Sequence, residues 1–336
     1  MSDTPSAAHG SPGEPAADAA TQVFVEHREL LFSMAYSMLG SVADTEDVLQ
    51  ESWLAWAARA AAPDAEPVEN PRAYLVRIAV NKALARQADL SRHRETYVGP
   101  WLPEPLATPL AGTGPDPGGG ADVADAAERA ESVSMALLVV LETLTSLERA
   151  VFVLHEVFGY AHTETAEILG RSPAAVRQLA HRAREHVQAR RPRYRADARL
   201  RRQVTERFAD AVYGGDLEAL LHLLAPEVTL WADGGGKAPA AGLGPVRGRD
   251  RIARLLAVGG SRVSAGDSRV SGALDIRFPQ VNGGPSAVLF QAGRPFAVLV
   301  LDVDPDTGQV RDIYFVTNPD KLSHLGPAPT PVRKDS

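Results

Sequence analysis

Apolar residues recur at spacings of three and four from Val23 to about Ser91, the period of helices that bury one face. Within that stretch "ADTEDVLQESWLAWAARA" predicts a helix, with Asp44 placed to cap it and Thr45, Glu46 and Asp47 in a first turn that favours negative charge. Leu49, Trp53 and Trp56 fall on one face, while Asp47 and Glu51 form an acidic stripe on another. Core packing is the expected fate of the tryptophans, which leaves the stripe as the better candidate for docking. A loop punctuated by prolines then leads to "NPRAYLVRIAVNKALARQ", where Asn70 caps a helix and Pro71 takes its first position. Arg77 and Asn81, and likewise Lys82 and Arg86, are one turn apart, so their donors line a ridge suited to phosphates.

Pro100 to Asp122, centred on "GTGPDPGGG", interrupts the periodicity and predicts a linker with little regular structure. Helical spacing resumes near Ala124, and Thr145 with Glu148 forms a capping-box pair ahead of "RAVFVLHEVFGY". "HTETAEILG" stops at Gly170, and "RSPAAVRQLAHRAREHVQAR" begins with Ser172 as cap and Pro173 at the first position. A short helix, a glycine turn and a basic second helix predict a helix-turn-helix. Ala175, Val176 and Leu179 make the apolar side of the second helix, while Arg177, Gln178, His181 and Arg182 project from the other. Arginine grips guanine and glutamine grips adenine in the major groove. Arg184, Arg190, Arg191, Arg193 and Arg195 extend the basic run as phosphate contacts or a tether.

From Leu200 the pattern predicts two helices, a strand and another helix at "GPVRGRDRIARLLAVGG". Strand-like runs follow, "SAVLFQAG", "PFAVLVLDVD" and "VRDIYFV", separated by the turn signals "NGG" and "PDTG". Helices first and a curved antiparallel sheet after predict an independent α+β domain.

The 336 residues suffice for two or three domains. The absence of cysteine excludes disulfides and thiolate metal sites, and no metal or cofactor is expected. No apolar run approaches the roughly 20 residues that cross a bilayer, and no basic region precedes an apolar one at the start, so we expect a cytoplasmic protein without membrane contact. Residues 1–20 and 326–336 read as disordered tails. The net charge of −7 hides blocks: −10 over residues 1–70, +4 over 71–99, −9 over 100–170 and +9 over 171–202. Such a chain offers one surface to a phosphate backbone and another to a basic protein. One stretch fits none of this: "GPWLPEPL" holds Trp101 between prolines, and an exposed tryptophan gains nothing, so the segment must pack on something.

Residues 21–98 and 124–195 resemble the two domains of an extracytoplasmic-function (ECF) sigma factor, a bacterial transcription initiation subunit. "DTEDVLQESWLAW" resembles region 2.2, which implies that Asp44, Asp47, Gln50, Glu51 and Trp53 dock on the β′ clamp helices of RNA polymerase core. "NPRAYLVRIAVNKALARQ" resembles regions 2.3 and 2.4, which bind and melt the −10 element, a role implied for Arg77, Asn81, Lys82 and Arg86. The helix-turn-helix resembles region 4, which meets the β flap and reads the −35 element, here through Ser172, Arg177, Gln178, His181, Arg182 and Arg184. Residues 199–325 resemble the SnoaL-like, ketosteroid-isomerase-like cone fold. The expected fold is thus multi-domain: two all-α sigma domains, a linker over 99–123, and an α+β cone domain.

Sigma factors fused to such a domain form a subgroup of the sigma-J type, marked here by "WLPEP", "DGGGK" and "NPDKL". The resemblance implies a regulatory contact between Trp101, Leu102, Pro103, Glu104 and Pro105 of the linker and two C-terminal segments. These are Asp233, Gly234, Gly235, Gly236 and Lys237, and Asn318, Pro319, Asp320, Lys321 and Leu322. Three glycines permit a turn with φ > 0, though "DGGGK" lacks the frame of a phosphate-binding P-loop. Asn318 can cap a short helix that opens with Pro319. A second reading makes the C-terminal domain a small-molecule sensor, or an enzyme with Asp233 as a base of raised pKa. No second acid or base stands at a telling spacing and His222 reads as packing, so we expect no catalysis, and a monomer.

Overall fold

The computed structural model describes residues 14–62, 66–94, 96–107, 133–190, 196–238, 244–264 and 274–327. Three helices open it: α1 Glu14–Leu39, α2 Val42–Ala60 and α3 Pro71–Arg94. Residues 14–20, expected within a disordered tail, are instead helical: α1 runs from Glu14, and the carbonyl of buried Ala20 accepts the Trp56 indole N–H at 2.9 Å. The cap of α2 is Ser41 rather than Asp44; its hydroxyl accepts the Asp44 amide at 3.2 Å, three residues before the charged run that suggested a start. Asn70 caps α3 through the Ala73 amide at 3.0 Å.

The second bundle comprises α4 Met135–Leu141, α5 Ser146–Phe152 continuing into a wide turn over Val153–Val157, α6 His162–Leu169 and α7 Pro173–Arg190. Residues 108–132, which hold most of the expected linker and the first positions from Ala124, lie outside the described residues. Thr145 and Glu148 form the reciprocal capping box that starts α5, Gly170 ends α6 at φ +60°, and the Ser172 hydroxyl caps α7. One apolar core runs through both bundles, from Leu31, Met34 and Met38 to Val153, Leu154 and Val176.

The C-terminal domain sets α8 Ala198–Gly214, α9 Leu217–Leu223 and α10 Arg249–Ser264 against a sheet. Its strands are β1 Leu224–Asp233, β2 Val246–Arg247, β3 Leu274–Arg277, β4 Gln280–Val281, β5 Gly284–Gln291, β6 Arg294–Val303 and β7 Val310–Val316. The order is β2-β1-β7-β6-β5-β3, with β4 paired to β5. The sheet is mixed, not antiparallel as expected: the β5-β6-β7 meander ends beside β1 in the same direction, pairing Trp231 with Tyr314 and Asp233 with Val316. β2, β3 and β4 are too short to show an alternation in the sequence.

Both faces of the central strands are buried, which explains the unbroken apolar run of β6. Leu299, Leu301 and Ile313 face α8, α9 and α10. Val298, Val300, Tyr314 and Val316 face the other way and meet Leu102 of the linker and Met135 of α4. Among the described residues, the linker and α4 thus pack on the face of the sheet opposite its own helices. Among the described residues no helix is long and apolar enough to cross a membrane.

Candidate functional site

Asp233 ends β1 fully buried, and its carboxylate gathers the linker. Oδ2 accepts the Leu102 amide at 2.8 Å and the Lys321 ammonium at 2.7 Å; Oδ1 accepts the Tyr97 hydroxyl at 2.5 Å and the Gly235 amide at 3.2 Å. Its carbonyl accepts the Thr317 and Asn318 amides, which joins the ends of β1 and β7. Lys321 also donates to the Leu102 carbonyl, and its ammonium lies 4.1 Å from the Trp101 ring centroid and 5.0 Å from that of Tyr97. A cation between two ring faces, paired with a carboxylate, is the packing partner that the tryptophan in the linker lacked in the sequence.

Local backbone shapes this seat. Gly235 and Gly236 adopt φ +57° and +72°, and a Cβ on Gly235 would lie 2.4 Å from the Asn318 amide nitrogen. Asn318 caps the short 3-10 turn Pro319–Lys321 through the Asp320 amide, which aims Lys321 inward. Its own amide donates to the Tyr97 hydroxyl at 2.9 Å. Burial, with Asp233 alongside, raises the Tyr97 pKa, so this hydroxyl remains a donor. Lys237 pairs with Asp320 at the exposed rim, and Leu322 is buried beneath. With four donors on it, the Asp233 carboxylate has no spare acceptor for the role of base.

The far end of the linker makes a second clasp. Asn282, in the β4–β5 turn at φ +49°, donates to the Tyr36 hydroxyl at 2.6 Å and exchanges hydrogen bonds with Leu106. Tyr36 of α1 donates in turn to the Glu104 carbonyl at 2.5 Å. The Glu104 carboxylate accepts the Ser41 hydroxyl at 3.0 Å and the Val42 amide at 2.7 Å. Pro103 and Pro105 are buried, and the Pro105 carbonyl lies 2.7 Å from His324 Nε2. Tyr97, Tyr36 and Asn282 were missed in the sequence because each lies outside the three short motifs; the asparagine of "NGG" marked only a turn.

The acidic stripe and the basic ridge, expected to be separate surfaces, meet each other. Lys82 pairs with Glu51 at 2.9 Å, and Arg86 with Asp44 at 2.7 Å and Asp47 at 2.9 Å. Opposite charges on neighbouring helices satisfy one another first, which block counting of charge does not reveal. Asn81, on the opposite flank of the ridge from those pairs, donates to the Ile168 carbonyl of α6 at 3.2 Å as well as to Arg77. Trp53 is half-buried, edge to face with Phe24 at 5.5 Å, whereas Gln50 is exposed.

Arg149 ties the two bundles from within. It is fully buried, donates from Nε to the Ser37 carbonyl at 3.1 Å and pairs with Glu142, and burial pushes its pKa down to about 9. On α7, Arg177, Gln178, His181 and Arg182 are exposed as expected. Arg177 and Gln178 make no hydrogen bond or ion pair among the described residues, whereas Arg182 pairs with Glu148 and Arg184 with Glu156. Ser172 serves as the helix cap.

Comparison with known proteins agrees with this arrangement. The Sigma-70 region 2 family model matches residues 23–93, and that of Sigma-70, region 4 matches residues 134–187. ECF RNA polymerase sigma factor SigJ of Mycobacterium tuberculosis is 36% identical over 304 residues, covering 88% of this chain and 91% of that protein. The chain belongs to the ECF RNA polymerase sigma factors. It is also 28% identical over 302 residues to the probable ECF sigma factor SigI of Mycobacterium tuberculosis, covering 89% of this chain and 93% of that one. The crystal structure of SigJ superposes with a TM-score of 0.67 at 33% identity, covering 90% of this chain and 98% of that chain. As an ECF sigma factor the protein directs RNA polymerase core to promoter DNA. Its two sigma domains carry α1–α3 and α4–α7, followed by the α+β domain.

Proposed function

We propose that this sigma factor rests in a closed arrangement imposed by its own C-terminal domain through the linker. The observation that carries the reading is the Asp233–Lys321 pair, buried between Trp101 and Tyr97 and bonded to both backbone groups of Leu102. Magnitudes decide which contacts hold the state. Exposed pairs such as Lys82–Glu51 and Arg86–Asp47 contribute about 0–1 kcal/mol each and exchange readily for phosphates or a basic protein. Breaking a buried pair by removing one partner costs about 3–5 kcal/mol. The linker seat, together with buried Arg149 and the apolar core that the two bundles share, therefore sets the closed state, rather than the ion pairs on α2 and α3.

In this reading, opening separates α6 from α3 and frees Asn81, after which Arg77, Asn81, Lys82 and Arg86 serve the −10 element. Asp44, Asp47, Gln50 and Glu51 then meet the polymerase clamp, and α7 reads the −35 element with Arg177, Gln178, His181 and Arg182. Run-off transcription with bacterial core polymerase and a promoter from the protein's own regulon tests it. Asp233→Asn and Trp101→Ala are expected to raise output at equal protein and core concentrations. Output unchanged by either substitution, or lost while core binding is retained, would sink the resting-state reading.

A further inference from the structure

One helix face of the C-terminal domain is left uncovered. α10 turns Ile252, Ala253 and Ala257 into the domain core and sets Gly260 against the Val212 carbonyl of α8. Its opposite side carries Arg251, Leu255, Val258 and Arg262 at spacings of four, three and four, with Arg254 beside them, all exposed. Leu255 and Val258 keep 49% and 53% of their surface open to solvent. The result is a stripe with two apolar residues at its centre and arginines at both ends.

The arginines have no use inside the domain. Among the described residues Arg251, Arg254 and Arg262 make no hydrogen bond or ion pair, and Asp250, the single carboxylate of α10, lies 3.9 Å from Arg249. By contrast Arg28, Lys82, Arg86, Arg182 and Arg184 each hold a carboxylate on a neighbouring element. Arg251 also stands in the first turn of α10, where the helix dipole disfavours a cation. Three unpaired positive charges thus flank two exposed apolar side chains that gain from being covered.

We propose that this face of α10 docks an acidic amphipathic helix of another protein, its carboxylates taken by Arg251, Arg254 and Arg262 and its apolar residues lying on Leu255 and Val258. A helix fits because its own residues three, four and seven apart match the stripe. A phosphate backbone would satisfy the arginines but leave Leu255 and Val258 uncovered in the middle of the contact. An anionic membrane requires a broad apolar face, and that of α10 is occupied by the domain core. A second copy is a poor source of the carboxylates, since Asp47 and Glu51 of its acidic stripe are already neutralised by Arg86 and Lys82. The stripe and the linker seat lie on opposite sides of the sheet, so docking here does not depend on the resting-state reading.

The test begins with phage-displayed random peptides of about 16 residues, selected on the full-length protein after depletion on the triple variant Arg251→Glu, Arg254→Glu and Arg262→Glu. All three positions are exposed, so that variant is expected to keep the wild-type unfolding temperature. Enrichment is expected for peptides in which Asp or Glu flanks apolar residues three or four apart. By fluorescence anisotropy an enriched peptide is expected to bind one site per chain, at least about tenfold more weakly when Leu255→Ser and Val258→Ser are combined, and more weakly with rising salt. Should the triple variant fail to fold, Arg254→Gln and Val258→Ser singly carry the same comparison. No enrichment, enrichment of basic or uncharged peptides, or an affinity unchanged by the serine substitutions would each overturn the proposal. So would a DNA duplex that displaces the peptide at equal affinity, or wild-type dimers in sedimentation that the triple variant loses; these assign the face to phosphates or to a second copy. Lys321→Met is expected to bind the peptide as the wild type does, whether or not its sigma domains part. Weaker binding by that variant would contradict placing the site on α10.

Discussion

The Glu104 carboxylate accepts the Val42 amide at 2.7 Å, so a linker residue caps the helix that carries the acidic stripe. Ser41, the cap within the chain, donates its hydroxyl to the same carboxylate while accepting the Asp44 amide. Undocking the linker thus removes a charge from the positive end of α2, and the state of the linker reaches directly the helix proposed to meet the polymerase. Glu104→Ala is expected to lower the local stability of the first turn of α2 by about 1 kcal/mol. Hydrogen exchange at Val42 and Asp44 reads this, and unchanged protection there would refute the coupling.

Asn282 is the point where the C-terminal domain touches α1, through Tyr36. Its φ of +49° makes Asn282→Gly the informative substitution, because glycine keeps the backbone shape and removes only the side-chain hydrogen bonds. We expect a loss of about 1–2 kcal/mol from the linker seat, seen as faster protease cleavage near Leu106. Cleavage at the wild-type rate would show that the clasp at this end is dispensable.

The capping box of α5 has a pH signature. Burial alone would raise the Glu148 pKa, but the Thr145 hydroxyl and amide and the Arg182 guanidinium outweigh it and hold it below its ordinary value. A carboxyl whose folded pKa is depressed contributes stability that is complete above its unfolded value and is lost as pH falls through the folded one. The second sigma domain is therefore expected to lose stability on acidification below about pH 4.5. In Glu148→Gln that part of the pH dependence should vanish in a comparison of melting curves. Identical acid profiles in the two proteins would contradict the assignment.

Arg177 and Gln178 project from α7 without protein partners among the described residues, so they are available to base edges. Replacing either by alanine is expected to cost about 1–3 kcal/mol of discrimination at its base pair. Run-off transcription on promoters altered one position at a time in the −35 element measures this. A uniform loss across all promoters would instead assign these side chains to phosphates.

The helical half was legible in the sequence because its signals are local: Asn70 with Pro71, Thr145 with Glu148, and Gly170 with Ser172 each fix an end within four residues. Asp233, Lys321 and Trp101 were also marked, through short motifs, although nothing local states that their side chains meet. What escaped depends on pairs far apart in the chain. The parallel pairing of β1 with β7, the Tyr36–Asn282 clasp and Arg149 reaching Ser37 leave no periodicity to read. The charge blocks misled for a related reason. Net charge along the chain describes what a segment carries, but Lys82 and Arg86 answer to the carboxylates on the neighbouring helix before any outside partner.

The central claim is that the buried Asp233–Lys321 pair locks the arrangement in which Arg149 and the shared apolar core join the two sigma domains, and a distance measurement tests it most directly. The chain has no cysteine, so single labels can be placed at Ala85→Cys on α3 and Glu167→Cys on α6, both exposed positions, without competing thiols. The distance distribution between them would be compared in the otherwise wild-type protein and in Lys321→Met. The account predicts one narrow, short distance in the first, and a broad or longer distribution in the second. The same narrow distance in both would contradict it.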